Sequence, residues 1–170
     1  SSDLRVFMKR AVAFTGPSNS GKTTLIQKVA SILLNEYEVA IIKNDPKDKA
    51  RFDVEGKDSY KFFQTGAETI VHSPNRTTYF SHRSKELDEM IAMFSRFDFL
   101  LVEGLKTLPL PRIAIFRSRI DESYFSVSEA IAIDESINID EYTIPQHIDI
   151  LDLNNPEMVI EWIKKNAKEV

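Results

Sequence analysis

The residues Gly16-Pro17-Ser18-Asn19-Ser20-Gly21-Lys22-Thr23, followed by Thr24, place two glycines, a lysine and a hydroxyl at the spacing G-x-x-x-x-G-K-S/T. That combination can hold a polyphosphate. Gly16 and Gly21 let the backbone turn tightly, so that successive N–H groups point inward at phosphate oxygens. A helix opening near Gly21 adds free N–H donors and the positive end of its dipole. The Lys22 ammonium can reach the β- and γ-phosphates, and the Thr23 hydroxyl can join the coordination shell of Mg²⁺. Pro17, Ser18, Asn19, Ser20 and Thr24 belong to the same expected nucleotide-binding loop.

A second group sits far along the chain. Phe99-Leu100-Leu101-Val102 is a continuous apolar run ending in Glu103 and Gly104, which reads as a central strand with a carboxylate at its tip. Such a tip can hold Mg²⁺, directly or through water, opposite the Thr23 hydroxyl. Asp98 lies at the wrong end of that strand. Glu103 is therefore paired with Lys22 as the expected catalytic set, and with Thr23 as the expected metal set. Taken alone, Glu103 could also be an exposed turn acid, a reading that loses ground once the phosphate loop is accepted, because that loop needs an acidic partner on a neighbouring strand.

These groups need elements to position them. Ala11-Val12-Ala13-Phe14 is apolar enough for a buried parallel strand over Arg10 to Thr15. Leu25, Ile26, Val29, Ile32 and Leu33 recur at helical spacing over Gly21 to Asn35. Strand, glycine-rich turn and helix form the setting the loop requires. Val39-Ala40-Ile41-Ile42 reads as a second buried strand, ending in the charged loop Lys43 to Lys49. Ligands of open α/β sheets bind at that carboxyl edge. A helix is expected from about Lys57 to Thr65, stopping at Gly66. Glu68 to His72 and Thr77 to Ser81 then form a hairpin through Pro74-Asn75. Leu87, Met90, Ile91 and Phe94 mark an amphipathic helix. Ile113 to Phe116 and Ala130 to Ile133 read as strands, the latter ending in Asp134. Ile148 to Leu151 is a short strand or a turn, and Arg117 to Phe125 resists assignment. Asn155-Pro156 opens the last helix, with Asn as cap and Pro at the first position. The alternation predicts one 1–170 domain: three-layer α/β/α with a largely parallel sheet and a hairpin extension.

Composition narrows the function classes. The chain has 170 residues and a net charge of −4, which argues against non-specific nucleic-acid binding. There is no cysteine, so disulfides and thiolate metal sites are excluded. No apolar run approaches a membrane span, and Ser1-Ser2-Asp3-Leu4-Arg5 lacks a signal-peptide pattern. A soluble cytoplasmic protein is the expectation. His72, His82 and His147 have no metal-ligand spacing and read as surface or packing residues. Tyr60, Phe62 and Phe63 read as core.

Four stretches together resemble the molybdopterin-guanine dinucleotide biosynthesis protein B (MobB) family. They are Phe14-Thr15-Gly16 through Gly21-Lys22-Thr23-Thr24-Leu25; Val39-Ala40-Ile41-Ile42-Lys43; Gly56-Lys57-Asp58-Ser59-Tyr60 with Gly66-Ala67; and Val102-Glu103-Gly104-Leu105-Lys106 with Leu110-Pro111-Arg112-Ile113. The phosphate loop is shared by very many proteins. The Gly-Lys-Asp-Ser-Tyr and Glu-Gly-x-Lys stretches are much more particular. The resemblance implies a P-loop (Walker A) GTP-binding protein of molybdenum cofactor biosynthesis. Such a protein binds GTP with Mg²⁺, hydrolyses it slowly and assists the guanylyltransferase that joins GMP to molybdopterin. It also implies a homodimer, with strands outside the nucleotide fold in the contact; Thr77 to Ser81 and Ile113 to Phe116 are the candidates.

The resemblance carries Lys43 and Asp53 over to the nucleotide, and Asp45 or Asp48 with less to support them. The family's histidine-rich run after the second strand is absent, replaced by Lys43-Asn44-Asp45-Pro46-Lys47-Asp48. Lys106 follows the strand-tip acid and could reach a phosphate or be a solvated loop lysine. Arg112 reads as a strand-edge charge or an anion contact across a dimer. Asp134 could accept hydrogen bonds from guanine N1 and N2, although no N-K-x-D motif is present.

No glutamine or arginine finger stands out, so slow intrinsic turnover is expected. The alternative is a P-loop small-molecule kinase, which needs an arginine-rich lid. Arg117 and Arg119 are thin support for one. A third reading is a non-enzymatic module that keeps the loop to hold an anion.

Overall fold

The computed structural model describes residues 5–170; Ser1–Leu4, part of the stretch lacking a signal-peptide pattern, lie outside the described residues. In chain order the elements are β1 (Arg10–Thr15), α1 (Lys22–Leu33), β2 (Val39–Lys43), α2 (Asp58–Gln64), β3 (Thr69–Ser73), β4 (Arg76–Phe80) and α3 (Leu87–Met93). They continue as β5 (Phe99–Glu103), β6 (Arg112–Phe116), β7 (Ala130–Ile133), β8 (Asp149–Asp152), α4 (Pro156–Asn166) and β9 (Lys168–Glu169). The backbone gathers into two compact units: the segments up to Asn44 and from Arg96 onward, and Asp45–Ser95.

The first unit is built on one sheet in the order β2-β5-β1-β6-β7-β8, with every neighbouring pair parallel. Apolar runs without a polar face suit strands covered on both sides. α1 and α4 supply Leu25, Val29, Val159 and Ile163 to one face, against Val12, Phe14, Leu101 and Ile115. On the other face Ala114, Phe116 and Ile131 meet Ile120, Ile137 and Ile148 from the connections, with Tyr124 packed against them. Two 3-10 turns, Glu122–Val127 and Ile139–Glu141, lie in those connections. The first, with a tight turn before it, is what the unassigned stretch from Arg117 becomes.

β9 was not legible in the sequence. β6 pairs with β1 only from Ala13 onward, leaving the start of β1 with an open edge. Lys168 and Glu169 fill it in antiparallel pairing with Ala11 and Arg10. The Arg10 guanidinium donates to the carbonyls of Lys164 (3.0 Å) and Ala167 (2.9 and 3.1 Å). It thereby satisfies the end of α4, where orphan carbonyls and the negative end of the dipole favour a cation.

Two charged residues are structural here. Asp98, buried just before β5, accepts from the backbone N–H of Glu38 (2.9 Å) and Met8 (3.2 Å) and pairs with Arg5. Arg112 is neither a strand-edge charge nor an anion contact. β6 lies between β1 and β7 and is buried along its whole length, so Ile113 to Phe116 cannot supply the dimer contact expected of it, and Arg112 is fully buried with it. Its guanidinium donates to the carbonyls of Gly104 (2.7 Å), Leu105 (2.8 Å) and Leu108 (3.2 Å). It ties down the loop that follows Glu103.

The second unit holds α2, α3 and the β3–β4 hairpin, paired from Thr69↔Phe80 to Ser73↔Arg76. Glu86 and Glu89 form a capping box at the start of α3. The expected core aromatics are not core: none of Tyr60, Phe62 and Phe63 is buried, and Phe62 is 61% exposed. Phe63 stacks instead on His82, with ring centroids 3.7 Å apart. No residue of Asp45–Ser95 is buried, in keeping with how little surface a segment of this size can hide.

Candidate functional site

β1 ends at Thr15, and the chain must turn at once beside β6. Gly16 has φ +149°, and a Cβ there would lie 2.5 Å from the Ile115 carbonyl oxygen, so no side chain fits. Gly21 (φ +94°) is the N-cap of α1 and carries no side-chain cap, which leaves the first N–H groups of the helix open. Ser20 is buried and its hydroxyl has no hydrogen-bond partner.

The parallel register brings the charged groups together. Phe14 of β1 and Lys43 of β2 both stand level with Glu103 of β5. Glu103, 14% exposed, bridges two ammonium groups: Lys22 Nζ at 3.0 Å and Lys43 Nζ at 3.3 Å. Lys22 Nζ also donates to the Gly16 carbonyl at 3.1 Å. The lysine is thus folded back across the mouth of its own loop, held between the Gly16 carbonyl and Glu103.

A polar hollow of about 550 Å³ opens above the loop. Pro17, Ser18, Asn19, Gly21, Lys22, Thr23, Thr24, Lys43 and Glu103 line it. Thr23 and Glu103 offer one hydroxyl and one carboxylate, a sparse set that suits Mg²⁺, which keeps waters and phosphate oxygens in its shell. Among the described residues no cluster of three His, Asp or Glu side chains could hold a metal ion without them.

Two further expected residues have these surroundings. Asp53 belongs to the second unit, where its Oδ1 accepts from the Ser59 hydroxyl and the Val54 N–H, both at 2.9 Å. Lys106 places its ammonium 4.0 Å from the Tyr124 ring centroid and lines a separate hollow with Pro109 and Glu129.

Sequence reasoning did not place Arg117 beside the glycine loop. It follows β6 directly, lines the same hollow as Lys22, and its guanidinium carbon lies 3.2 Å from where a Gly21 Cβ would stand. Its Nε is 3.4 Å from Asp134 Oδ2 at the tip of β7. The Ser136 hydroxyl and N–H donate to Asp134 Oδ1. The Ser136 hydroxyl contributes most to holding the Asp134 carboxyl below the usual carboxylate range; burial opposes it, and the Ser136 N–H and Arg117 add to it. The available signal was an arginine one residue past a buried parallel strand, at the sheet edge that carries the glycine loop.

Residues 11–135 match the family model described as Molybdopterin guanine dinucleotide synthesis protein B, MobB. This chain belongs to that family. The MobB resemblance extends beyond the matched region. The molybdopterin-guanine dinucleotide biosynthesis adapter protein of Escherichia coli K12 is 30% identical over 91% of this chain and 93% of that protein. The protein of the same description from Haemophilus influenzae is 28% identical over 94% and 92%. Bacillus subtilis MobB superposes with a TM-score of 0.74 at 24% identity, over 94% of this chain and 98% of that one. That likeness extends the MobB fold, a central parallel sheet with an antiparallel hairpin, to this chain.

Proposed function

We propose that this chain binds GTP as its Mg²⁺ complex and acts as an adapter in molybdopterin guanine dinucleotide formation. The observation that carries the reading is Lys22 held between Gly16 and Glu103 at the open end of α1, in a member of the MobB family. Phosphate oxygens would take the place of the Glu103 carboxylate on Lys22 and accept from the loop N–H groups. Glu103, released, would join the Thr23 hydroxyl in holding Mg²⁺, which would neutralise phosphate charge. Lys43 would keep Glu103 oriented. The chemistry asked of the protein is positioning and charge neutralisation, so turnover is slow.

The partners that follow are a molybdopterin guanylyltransferase and the molybdopterin it modifies, with the protein working in the cytoplasm as a homodimer. The hairpin supports the dimer. β3 and β4 form a two-stranded sheet by themselves, with Ile70 62% exposed. Such hairpins are marginal without further cover.

Titration with GTP and ATP, with and without Mg²⁺, tests the reading. Preference for GTP·Mg²⁺, lost in Lys22→Ala with the melting temperature retained, is the expected result. Preference for ATP with transfer of its γ-phosphoryl group to a metabolite would make the protein a kinase. Nucleotide affinity unchanged in Lys22→Ala would refute the site.

A further inference from the structure

The loop has two flanks. β5 and β6 lie on opposite sides of β1, so Glu103 and Arg117 stand on opposite sides of the loop that follows it. The Glu103 flank holds the Lys22 and Lys43 ammoniums. On the other flank the Arg117 guanidinium rests on Gly21, the N-cap of α1. A cation beside a helix N-terminus is repelled by the dipole unless an anion lies between them. The hollow is lined by three cationic side chains, Lys22, Lys43 and Arg117, against one carboxylate, Glu103.

Arg117 is also held ready. Ser118 has φ 68°, a left-handed conformation unusual for a non-glycine residue, and the Arg119 N–H donates to the Arg117 carbonyl at 2.7 Å. The Ser118 N–H donates to the Ser136 hydroxyl at 2.8 Å, and Ser136 in turn holds Asp134, the partner of Arg117. The turn opens the crossover that takes the chain from the end of β6 at Phe116 back to the start of parallel β7 at Ala130. Half-exposed ion pairs of this kind add little to stability. Strained, cross-braced turns of this sort cluster at ligand sites.

We infer that Arg117 is a positioning residue for the nucleotide: its guanidinium contacts the α/β-phosphate region from the flank opposite Glu103. The assignment rests on the nucleotide site proposed above. The phosphates follow from the loop, whose backbone cradles the α- and β-phosphates while Lys22 reaches toward β and γ. A planar guanidinium over Gly21 then meets the inner phosphates with a fork of donors that lysine lacks. Because those phosphates are common to nucleoside di- and triphosphates, Arg117 serves both alike.

The test is titration of the intact protein and of Arg117→Ala, Arg117→Lys and Asp134→Asn with GDP and GTP in Mg²⁺. Thermal melting without nucleotide serves as the control for folding. Arg117→Ala should weaken GDP and GTP equally, by about tenfold or more, with an unchanged melting temperature. Arg117→Lys should recover part of the loss, and Asp134→Asn, which frees the guanidinium, should fall between. Weakening of GTP alone would overturn the inference, since the contact would then be to the γ-phosphate. Unchanged GDP affinity in Arg117→Ala would also overturn it and leave the nucleotide site standing. Failure of the unmutated protein to bind either nucleotide would overturn both.

Discussion

Replacing Arg112 tests whether a buried cation, rather than the strand, fixes the loop after Glu103. The side chain is fully buried and donates to three carbonyls at 2.7, 2.8 and 3.2 Å. Burial pulls its pKa below the usual arginine value, and the nearby Glu129 carboxylate pulls the other way. Hydrogen bonds from a charged donor contribute about 1.5–3 kcal/mol each. Against this stands the desolvation cost of the guanidinium, several kcal/mol, which an apolar side chain would not incur. Arg112→Met keeps most of the volume, so its effect is the difference between those quantities plus the penalty for stranded carbonyls, about 1–3 kcal/mol. Arg112→Ala adds a cavity and should cost about 3–5 kcal/mol, or roughly 6–20 °C in melting temperature for a chain of this size. Circular dichroism melts of both variants provide the measurement, with GTP·Mg²⁺ affinity as a second readout because Glu103 sits at the base of the same loop. Arg112→Met melting within about 2 °C of the parent would refute the argument, since the three bonds would then be holding nothing.

Glu103→Gln should change sign with the metal: without Mg²⁺ it should bind GTP more tightly than the parent, because Lys22 is no longer held by a carboxylate, and with Mg²⁺ more weakly. The same direction in both titrations would refute the exchange. Asp98→Asn should flatten the acid limb of stability. Burial raises the Asp98 carboxyl, but the Glu38 and Met8 N–H groups and Arg5 outweigh it and bring the value below the ordinary range. A lowered value in the folded state contributes stability that is complete above the unfolded carboxylate range, near pH 4, and is lost as pH falls through the lower folded value. Urea midpoints from pH 7 to pH 2 should therefore converge for parent and variant at the acid end; a constant gap would refute this. Ile70→Lys on the exposed hairpin should halve the mass seen by sedimentation equilibrium, while a monomeric parent would dispose of the homodimer.

Much of the site was legible because it is local. Gly16 to Thr23 fix one another's positions through a single turn, so spacing alone names the loop and its lysine. Glu103 was legible for a related reason: a buried run ending in an acid and a glycine marks a strand tip. Arg117 and Arg112 were not. Both are arginines bordering an apolar run, and nothing in their neighbours says that one is buried under a loop while the other rests on a glycine almost a hundred residues earlier. β9 went unread because two residues show no periodicity, and its edge exists only through the register of β6 on β1.

Taken by itself, the sequence determined the glycine-lysine loop between β1 and α1, the parallel strands and the carboxylate at the tip of β5. Backbone sterics and hydrophobic period act over a few residues and leave their mark there. Tertiary structure alone decided which charges meet. Strand order set Glu103 and Arg117 on opposite flanks of β1, and register brought Lys43 level with Glu103. Electrostatic partners are chosen by distance through space, a quantity that chain position does not encode.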